Sequence, residues 1–268
     1  MPKITTNGIK LYYETYGGAG KPLVLISGLG YSSWQWHKMV PFLAEHFQVI
    51  TFDNRGVGQS DKPAGPYTAQ MLAVDTVGLL NKLGIEKAIV MGHSMGGFIA
   101  QAIALDFPQM VEKLILCSTN FGGPRHIPVT AEAMKVLTDV TSDPLTRFKN
   151  GLAVSTAPGW AEKNPGMIEE WIKWRVANPI EPAPYQAQMA IGFALMPEAA
   201  AFETKLPRLN LPTLILFGAH DKVAPPANAS LLAGKIAESK VVIFPDAGHF
   251  FPIEIPEAAS KVVVEFTR

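Results

Sequence analysis

Ser94 lies in a motif whose residue types and spacing suit covalent catalysis. The sequence Gly-His-Ser-Met-Gly-Gly (residues 92–97) follows the apolar run 88–91 and precedes a helical pattern that begins near Met95. A serine hydroxyl becomes an effective nucleophile when it is exposed, faces a base and lies near groups that stabilise negative charge. A sharp strand–turn–helix connection provides such a place, because its glycines let strand and helix approach and the helix N-terminus supplies a free N–H. We predict Ser94 as a nucleophile; the alternative is a serine that only caps its helix.

Asp221 and His249 are the candidate acid and base that a serine nucleophile requires. Asp221 follows the apolar run 213–218, and His249 lies in a loop after the last such run, so both are expected at the sheet edge that carries Ser94. Imidazole exchanges protons near neutral pH. The chain order serine, acid, histidine is typical of this serine motif. The alternatives are a turn-forming aspartate at 221, a solvated histidine at 249, and Asp246 as the acid.

Acyl transfer at Ser94 would also require N–H donors for the negative oxygen of the tetrahedral intermediate. The amide of Met95, which directly follows the nucleophile, is one candidate. The loop Ser-Gly-Leu-Gly-Tyr (residues 27–31) follows another buried strand and offers the second, for which we predict Leu29, with Gly28 as the fallback. Loss of one such donor typically slows catalysis by about 10²–10³. The alternative is an ordinary glycine-rich strand exit.

Short apolar, β-branched runs alternate with longer helical patterns along most of the chain. The predicted strands are 9–16, 22–28, 47–52, 88–92, 111–117, 213–218 and 241–244. The predicted helices are 34–45, 68–83, 95–107, 227–237 and 256–267. Near-continuous apolar strands suit a parallel sheet covered by helices, and right-handed crossovers then give a doubly wound sheet. We therefore predict an α/β fold.

The stretch between Asn120 and Leu206 breaks this alternation, because it reads as helix fragments separated by prolines. We predict a core domain formed by residues 1–120 and 207–268, and a helical cap inserted between them at 121–206. Open α/β sheets bind ligands at their carboxyl edge, so the cap is expected to cover the site. Candidate substrate contacts are Gly28 in the core and three cap tryptophans, Trp160, Trp171 and Trp174. The alternative for the tryptophans is the apolar core of the cap.

Three further features are interpreted as structural. The segment 53–60 has a charge pair and glycines after a buried strand, and we expect Asp53 and Arg55 to bond backbone groups rather than substrate. His93 and His220 adjoin the candidate nucleophile and acid, and we expect both to serve packing.

The composition and motifs of the chain give no support for nucleic acid, membrane, metal or cofactor binding. Lys plus Arg equals Asp plus Glu at 23 each, so no net field attracts nucleic acid or anionic membranes. The longest apolar runs are about seven residues, too short to span a bilayer. Neither metal-ligand spacing nor a phosphate or dinucleotide motif is found. We predict a cytoplasmic protein that acts on a small molecule without metal or cofactor; the sequence carries no signal for an oligomeric state.

Together the motifs at 27–30, 53–56, 92–97, 218–221 and 248–249 resemble those of the α/β-hydrolase superfamily, along nearly the whole chain apart from the cap. The first motif departs from the usual His-Gly, because Ser27 replaces the histidine. The chain looks most like small esterases and lactonases. This resemblance implies an eight-stranded, mostly parallel sheet and an acyl-enzyme mechanism on carboxylic esters or lactones. Two alternative activities on the same residues are carbon–carbon bond hydrolysis and cofactor-free perhydrolysis; a third reading is a non-enzymatic receptor for a small ligand.

Overall fold

An eight-stranded sheet forms the centre of the computed structural model, which describes residues 2–18, 20–139 and 141–268. The strands are β1 (Lys3–Thr6), β2 (Ile9–Tyr16), β3 (Pro22–Ile26), β4 (Gln48–Phe52), β5 (Ala88–His93), β6 (Val111–Cys117), β7 (Thr213–Gly218) and β8 (Ser239–Phe244). Their order in the sheet is β1-β2-β4-β3-β5-β6-β7-β8. β2 pairs antiparallel with β1 and β4, and the other neighbouring strands pair parallel. The prediction of a doubly wound, mostly parallel sheet is confirmed.

The central strands are buried on both faces, as near-continuous apolar runs require. On β3, Val24 and Ile26 belong to one apolar cluster, whereas Leu23 and Leu25 belong to a second cluster on the opposite face. β5 and β7 are buried along their whole length. Since parallel strands are stable only when helices cover both sides, the sequence pattern and the two-sided core have the same cause.

The helices are α1 (Val40–Leu43), α2 (Ala69–Lys82), α3 (Met95–Asp106), α4 (Ala131–Leu137), α5 (Pro144–Ser155), α6 (Trp160–Lys163), α7 (Pro165–Ala177), α8 (Pro182–Ala194), α9 (Ala227–Ala233), α10 (Phe251–Glu254) and α11 (Pro256–Thr267). Within the described ranges, none has the length and apolar character needed to cross a bilayer. The cytoplasmic location stays a prediction.

The predicted helix 34–45 is wrong as a single element. The structure has a short 3-10 helix at Ser33–Trp36 and then α1, with Pro41 in its first turn. Proline has no N–H and its ring collides with the preceding turn, so one continuous helix could not include Pro41 in its interior. Strand β1 was not predicted; it pairs only with β2 at the sheet edge, and its burial alternates between intermediate and exposed.

The segment between β6 and β7 contains α4 to α8 and no strand among its described residues. We call residues 121–206 the cap segment. It contacts loops at the carboxyl ends of the strands: the Phe250 N–H donates to the Ser155 carbonyl at 3.0 Å, and the Gly30 N–H donates to the Gln188 side chain at 3.0 Å. The division into a core domain and a separate cap domain stays a prediction.

Candidate active site

Ser94 occupies a strained turn between β5 and α3. Its φ of 55° and ψ of −118° lie where L-residues rarely occur, and such a conformation costs about 1–3 kcal/mol. Its N–H donates to the Cys117 carbonyl at 2.8 Å, while the residue itself remains partly exposed. A side chain at Gly92 would collide with the Gly96 carbonyl, and one at Gly96 with the Ile26 carbonyl. The glycines thus permit the tight turn that raises Ser94 at the carboxyl edge of the sheet.

His249 and Asp221 form a buried hydrogen-bonded pair. His249 Nδ1 lies 2.8 Å from Asp221 Oδ2, and the two residues are 4% and 3% exposed. The other carboxylate oxygen of Asp221 accepts the N–H groups of Val223 at 2.9 Å and Ala224 at 2.7 Å. A carboxylate held in this way fixes the imidazole and leaves Nε2 for proton exchange. Asp246, the alternative acid, is exposed.

His93 links the loop of the candidate base to the serine turn. Its ring is buried, and Nε2 donates to the His249 carbonyl at 2.8 Å, since a carbonyl oxygen can only accept. The two imidazole rings lie 4.6 Å apart, centre to centre. Burial holds the pKa of His93 well below its usual value, so the ring stays neutral. The expectation of a packing role missed this bond, which the sequence does not indicate because the partner lies 156 positions away.

The loop after β3 has its peptide groups oriented by neighbours. The Gly28 N–H donates to Gln35 Oε1 at 2.9 Å, and the Gly28 carbonyl accepts the Tyr31 N–H at 3.2 Å. Because the Gly28–Leu29 peptide is planar, this carbonyl direction turns the Leu29 N–H to the opposite side. Gly28 packs against the serine turn, since a side chain there would lie 3.3 Å from the Ser94 Cβ. Of the two loop candidates, this geometry favours Leu29, because the Gly28 N–H is already bonded.

Gln188 of the cap segment joins two core loops, and sequence reasoning missed it. Its Oε1 accepts the Gly30 N–H at 3.0 Å, and its Nε2 donates to the Arg55 carbonyl at 2.8 Å. The residue is only 1% exposed. Arg175, also in the cap segment, donates to the Gly30 carbonyl at 3.0 Å. Both peptide groups that flank Gly30 are therefore held by cap residues, next to the candidate donor Leu29.

The three predicted cap tryptophans belong to one aromatic cluster with residues of the core loops. Trp171 has no exposed surface and packs edge-on against Phe250, with ring centres 4.9 Å apart. Trp174 stacks on Trp34 at 4.4 Å and lines a cleft of about 160 Å³. These contacts favour the alternative interpretation, cap core, for Trp171. Substrate contacts by Trp160, which is partly buried in the same cluster, and by Trp174 stay predictions.

In the turn after β4, Asp53 bonds backbone groups as predicted, whereas Arg55 does not. Asp53 accepts the backbone N–H groups of Ser33 at 2.7 Å and Gln59 at 2.8 Å, as expected. Arg55, in contrast, does not use its side chain for backbone groups. It forms two bonds with the Asp75 carboxylate, at 2.5 and 2.6 Å, because a buried guanidinium needs a charged partner.

Comparisons with known proteins identify the family of this chain. A family model for the alpha/beta hydrolase fold matches residues 21–256. The 3-oxoadipate enol-lactonase 2 of Acinetobacter baylyi is 28% identical over 97% of this chain and 94% of the relative. The structure of a thermophilic esterase from Thermogutta terrifontis is 31% identical, with a TM-score of 0.82 and coverage of 100% and 97%. That of a meta-cleavage product hydrolase from Pseudomonas fluorescens is 25% identical, with a TM-score of 0.85 and the same coverage. Since the family model spans most of the chain, this protein belongs to the α/β-hydrolase family.

Proposed function

We propose that this protein hydrolyses carboxylic esters, either short to medium acyl esters or lactones, through an acyl-enzyme formed on Ser94. The observation that carries the proposal is the buried bond between His249 Nδ1 and Asp221 Oδ2 beside the strained serine turn. A strained, partly exposed serine and an oriented imidazole at one sheet edge are the parts that nucleophilic acyl transfer requires.

Each residue has a defined part in the proposed reaction. His249 Nε2 takes the proton of the Ser94 hydroxyl while its oxygen attacks the ester carbonyl. The N–H groups of Leu29 and Met95 donate to the resulting oxyanion; Met95 is free to do so because first-turn N–H groups have no partner within their helix. The protonated imidazole then gives its proton to the leaving alcohol. Water, deprotonated by the same imidazole, attacks the acyl carbon; the bond to the Ser94 oxygen breaks, the imidazolium returns its proton to that oxygen, and the acid leaves.

The choice of substrate class rests on the relatives and on the surroundings of the site. An enol-lactonase and an esterase are among the relatives of this chain. Phe250 packs edge-on against the His249 ring, with ring centres 5.5 Å apart, and contacts Trp171 and Tyr31 in an apolar cluster, which favours an apolar acyl group. A balanced net charge adds no general attraction for anions. These features support uncharged esters and lactones over phosphates.

A second candidate reaction is hydrolysis of a carbon–carbon bond on the same residues. The observation that favours it is the likeness to the meta-cleavage product hydrolase. Against it stands the residue before the nucleophile, because His93 occupies the position that is often asparagine in such hydrolases. We therefore rank it second.

The test is hydrolysis of p-nitrophenyl butyrate by the wild type and by Ser94→Ala. Activity should fall by about 10⁴-fold or more in the variant, since no other residue replaces the nucleophile. Ser230→Ala is the matched control, because Ser230 is exposed on α9 and should leave the rate unchanged. Equal rates for wild type and Ser94→Ala would overturn the proposal. A panel of esters, lactones, thioesters and vinylogous diketones then separates ester from carbon–carbon cleavage.

A further inference from the structure

Glu254 is a buried carboxylate that the proposed reaction does not use. It ends α10 and is only 9% exposed. Its carboxylate accepts the Gly248 N–H, at 3.0 Å from Oε1 and 3.2 Å from Oε2, and the Ala157 N–H at 2.7 Å from Oε2. Among the residues that the structure describes, its partners are thus two backbone amides and no cation. Burying a carboxylate without a cationic partner is costly, and the two amide bonds offset part of that cost.

The two amides come from the parts of the chain that meet beside the base. Gly248 directly precedes His249, and Ala157 lies just after α5 in the cap segment. The same two stretches are joined by the bond from the Phe250 N–H to the Ser155 carbonyl. They are also in close contact, because a side chain at Gly248 would lie 2.7 Å from the Thr156 carbonyl carbon. Glu254 therefore bonds to both sides of the contact between the cap segment and the loop of the base.

We propose that the Glu254 carboxylate is a positioning residue, which holds Gly248 and the end of α5 together and so keeps the imidazole of His249 aligned between Asp221 and Ser94. This inference rests on the proposed function of Ser94 and His249. Glu254 acts through the backbone and does not touch the reacting atoms. Small misalignments of a base lower the rate strongly, because proton transfer requires hydrogen-bond geometry.

The charge state of Glu254 adds a pH signature to this geometry. Burial, followed by the negative charge of Asp221, raises the pKa of Glu254 from 4.5 to about 7, although the bonds from Ala157 and Gly248 oppose the shift. From the cap segment the facing residues are the uncharged Ser155 and Thr156. From the serine turn, His93 stays neutral, since burial lowers its pKa. The loop itself carries two ionisable side chains, His249 and the exposed Asp246.

The sign of the effect on stability is opposite to that on activity. A carboxyl group with a raised pKa binds its proton more tightly in the folded chain, so its contribution to stability is complete below 4.5 and is lost as the pH rises through about 7. The two amide bonds are strongest for the carboxylate, which forms over the same range. As the pH rises, the wild type should therefore gain alignment of its base while losing some stability.

The experiment compares wild type, Glu254→Gln and the matched control Glu257→Gln, which changes an exposed residue three positions on. Rates with p-nitrophenyl butyrate and melting temperatures are measured between about pH 5 and pH 8. For Glu254→Gln we expect kcat about tenfold lower at the upper pH with KM changed less than about twofold, because a neutral amide accepts more weakly than a carboxylate and its NH₂ group, a donor, replaces one of the two acceptor oxygens. In the wild type, the fall of log kcat/KM towards acid pH should require two ionisations to describe it. In Glu254→Gln it should require one. From pH 5 to 8 the melting temperature should fall more in the wild type than in Glu254→Gln.

The proposal is overturned if Glu254→Gln has wild-type kcat, or if its loss of activity is the same at every pH and follows a lower melting temperature. If Glu254→Gln does not fold, the pH profile of the wild type alone tests the proposal. A wild-type profile that a single ionisation describes also overturns it. Ser94→Ala distinguishes failure of the proposed function from failure of the positioning role of Glu254. An active Ser94→Ala refutes the proposed function, whereas an inactive Ser94→Ala with normal Glu254→Gln refutes only the positioning role.

Discussion

At the level of single residues, the surroundings of two aspartates favour one of them as the candidate acid. Asp221 is buried and accepts three hydrogen bonds, one from the His249 ring and two from backbone N–H groups. Asp246 lies three positions before His249 in the chain but is exposed. Proximity in sequence therefore does not decide which carboxylate orients the base; the course of the strands does.

We predict that Asp221→Asn lowers kcat by about 10³–10⁴, because an amide can donate to Nδ1 and stabilise the wrong tautomer of His249. KM should change little. The measurement is steady-state hydrolysis of p-nitrophenyl butyrate. Asp246→Asn is the matched control and should keep wild-type kcat. The reverse pattern, with loss of activity in Asp246→Asn alone, would assign the acid to residue 246.

Single residues also mark what the sequence could and could not predict about the candidate site. Ser94, Asp221 and His249 were identifiable as candidates because each follows an apolar strand run, and parallel strands bring such positions to one edge. The bonds of His93 and Glu254 were not. Their partners are backbone groups of the loop that carries His249 and, for Glu254, also the Ala157 N–H of the cap segment. No pattern of residue types records which carbonyl or amide a buried side chain reaches.

At the level of elements, the loop after β3 depends on two glutamines from different parts of the chain. Gln35 belongs to the neighbouring 3-10 helix and accepts the Gly28 N–H, whereas Gln188 belongs to α8 and accepts the Gly30 N–H. The candidate donor Leu29 lies between these two fixed peptide groups. Its orientation therefore requires that α8 be docked on the core.

We predict that Gln188→Leu lowers kcat about tenfold or more, since it leaves the Gly30 N–H and the Arg55 carbonyl buried without partners and releases the loop. The same change should cost about 1–3 kcal/mol in the free energy of unfolding. Kinetics and urea unfolding measure the two effects. Gln186→Leu is the matched control, because Gln186 is exposed on the same helix. A normal kcat in Gln188→Leu would show that the loop does not need the cap contact.

Elements were predictable wherever burial on both faces imposes a pattern. The runs 111–117 and 213–218 coincide with β6 and β7, because parallel strands in the core are apolar along most of their length. The run 9–16 coincides with β2, an antiparallel strand that its partial alternation predicted. β1 could not be predicted in this way, since it is an edge strand of only four partly exposed residues. The docking of α8 on the loop after β3 joins residues 158 positions apart, and such contacts leave no local pattern.

At the level of the whole molecule, a buried ion pair connects the turn after β4 with α2 and the first hairpin. The side chains of Arg55 and Asp75 are 7% and 2% exposed, and the pair forms two bonds. Asn7, between β1 and β2, donates to Asp75 Oδ1 at 2.7 Å. The Arg55 carbonyl in turn receives the Gln188 amide of the cap segment. One network, buried except at the exposed Asn7, thus joins the edge of the sheet, α2 and the cap segment.

We predict that Asp75→Asn lowers the free energy of unfolding by about 3–5 kcal/mol, because it leaves the Arg55 guanidinium buried without a compensating charge. Urea denaturation at neutral pH measures the loss. The control is Glu169→Gln, which breaks an ion pair with Lys173 whose side chains are 68% and 72% exposed, and which should cause no measurable change because solvent screens such pairs. The double change Arg55→Met with Asp75→Leu should recover part of the loss, since it removes the unpaired charge. Equal effects of Asp75→Asn and Glu169→Gln would mean that water reaches the Arg55 guanidinium, and the network would then not hold the three parts of the molecule together.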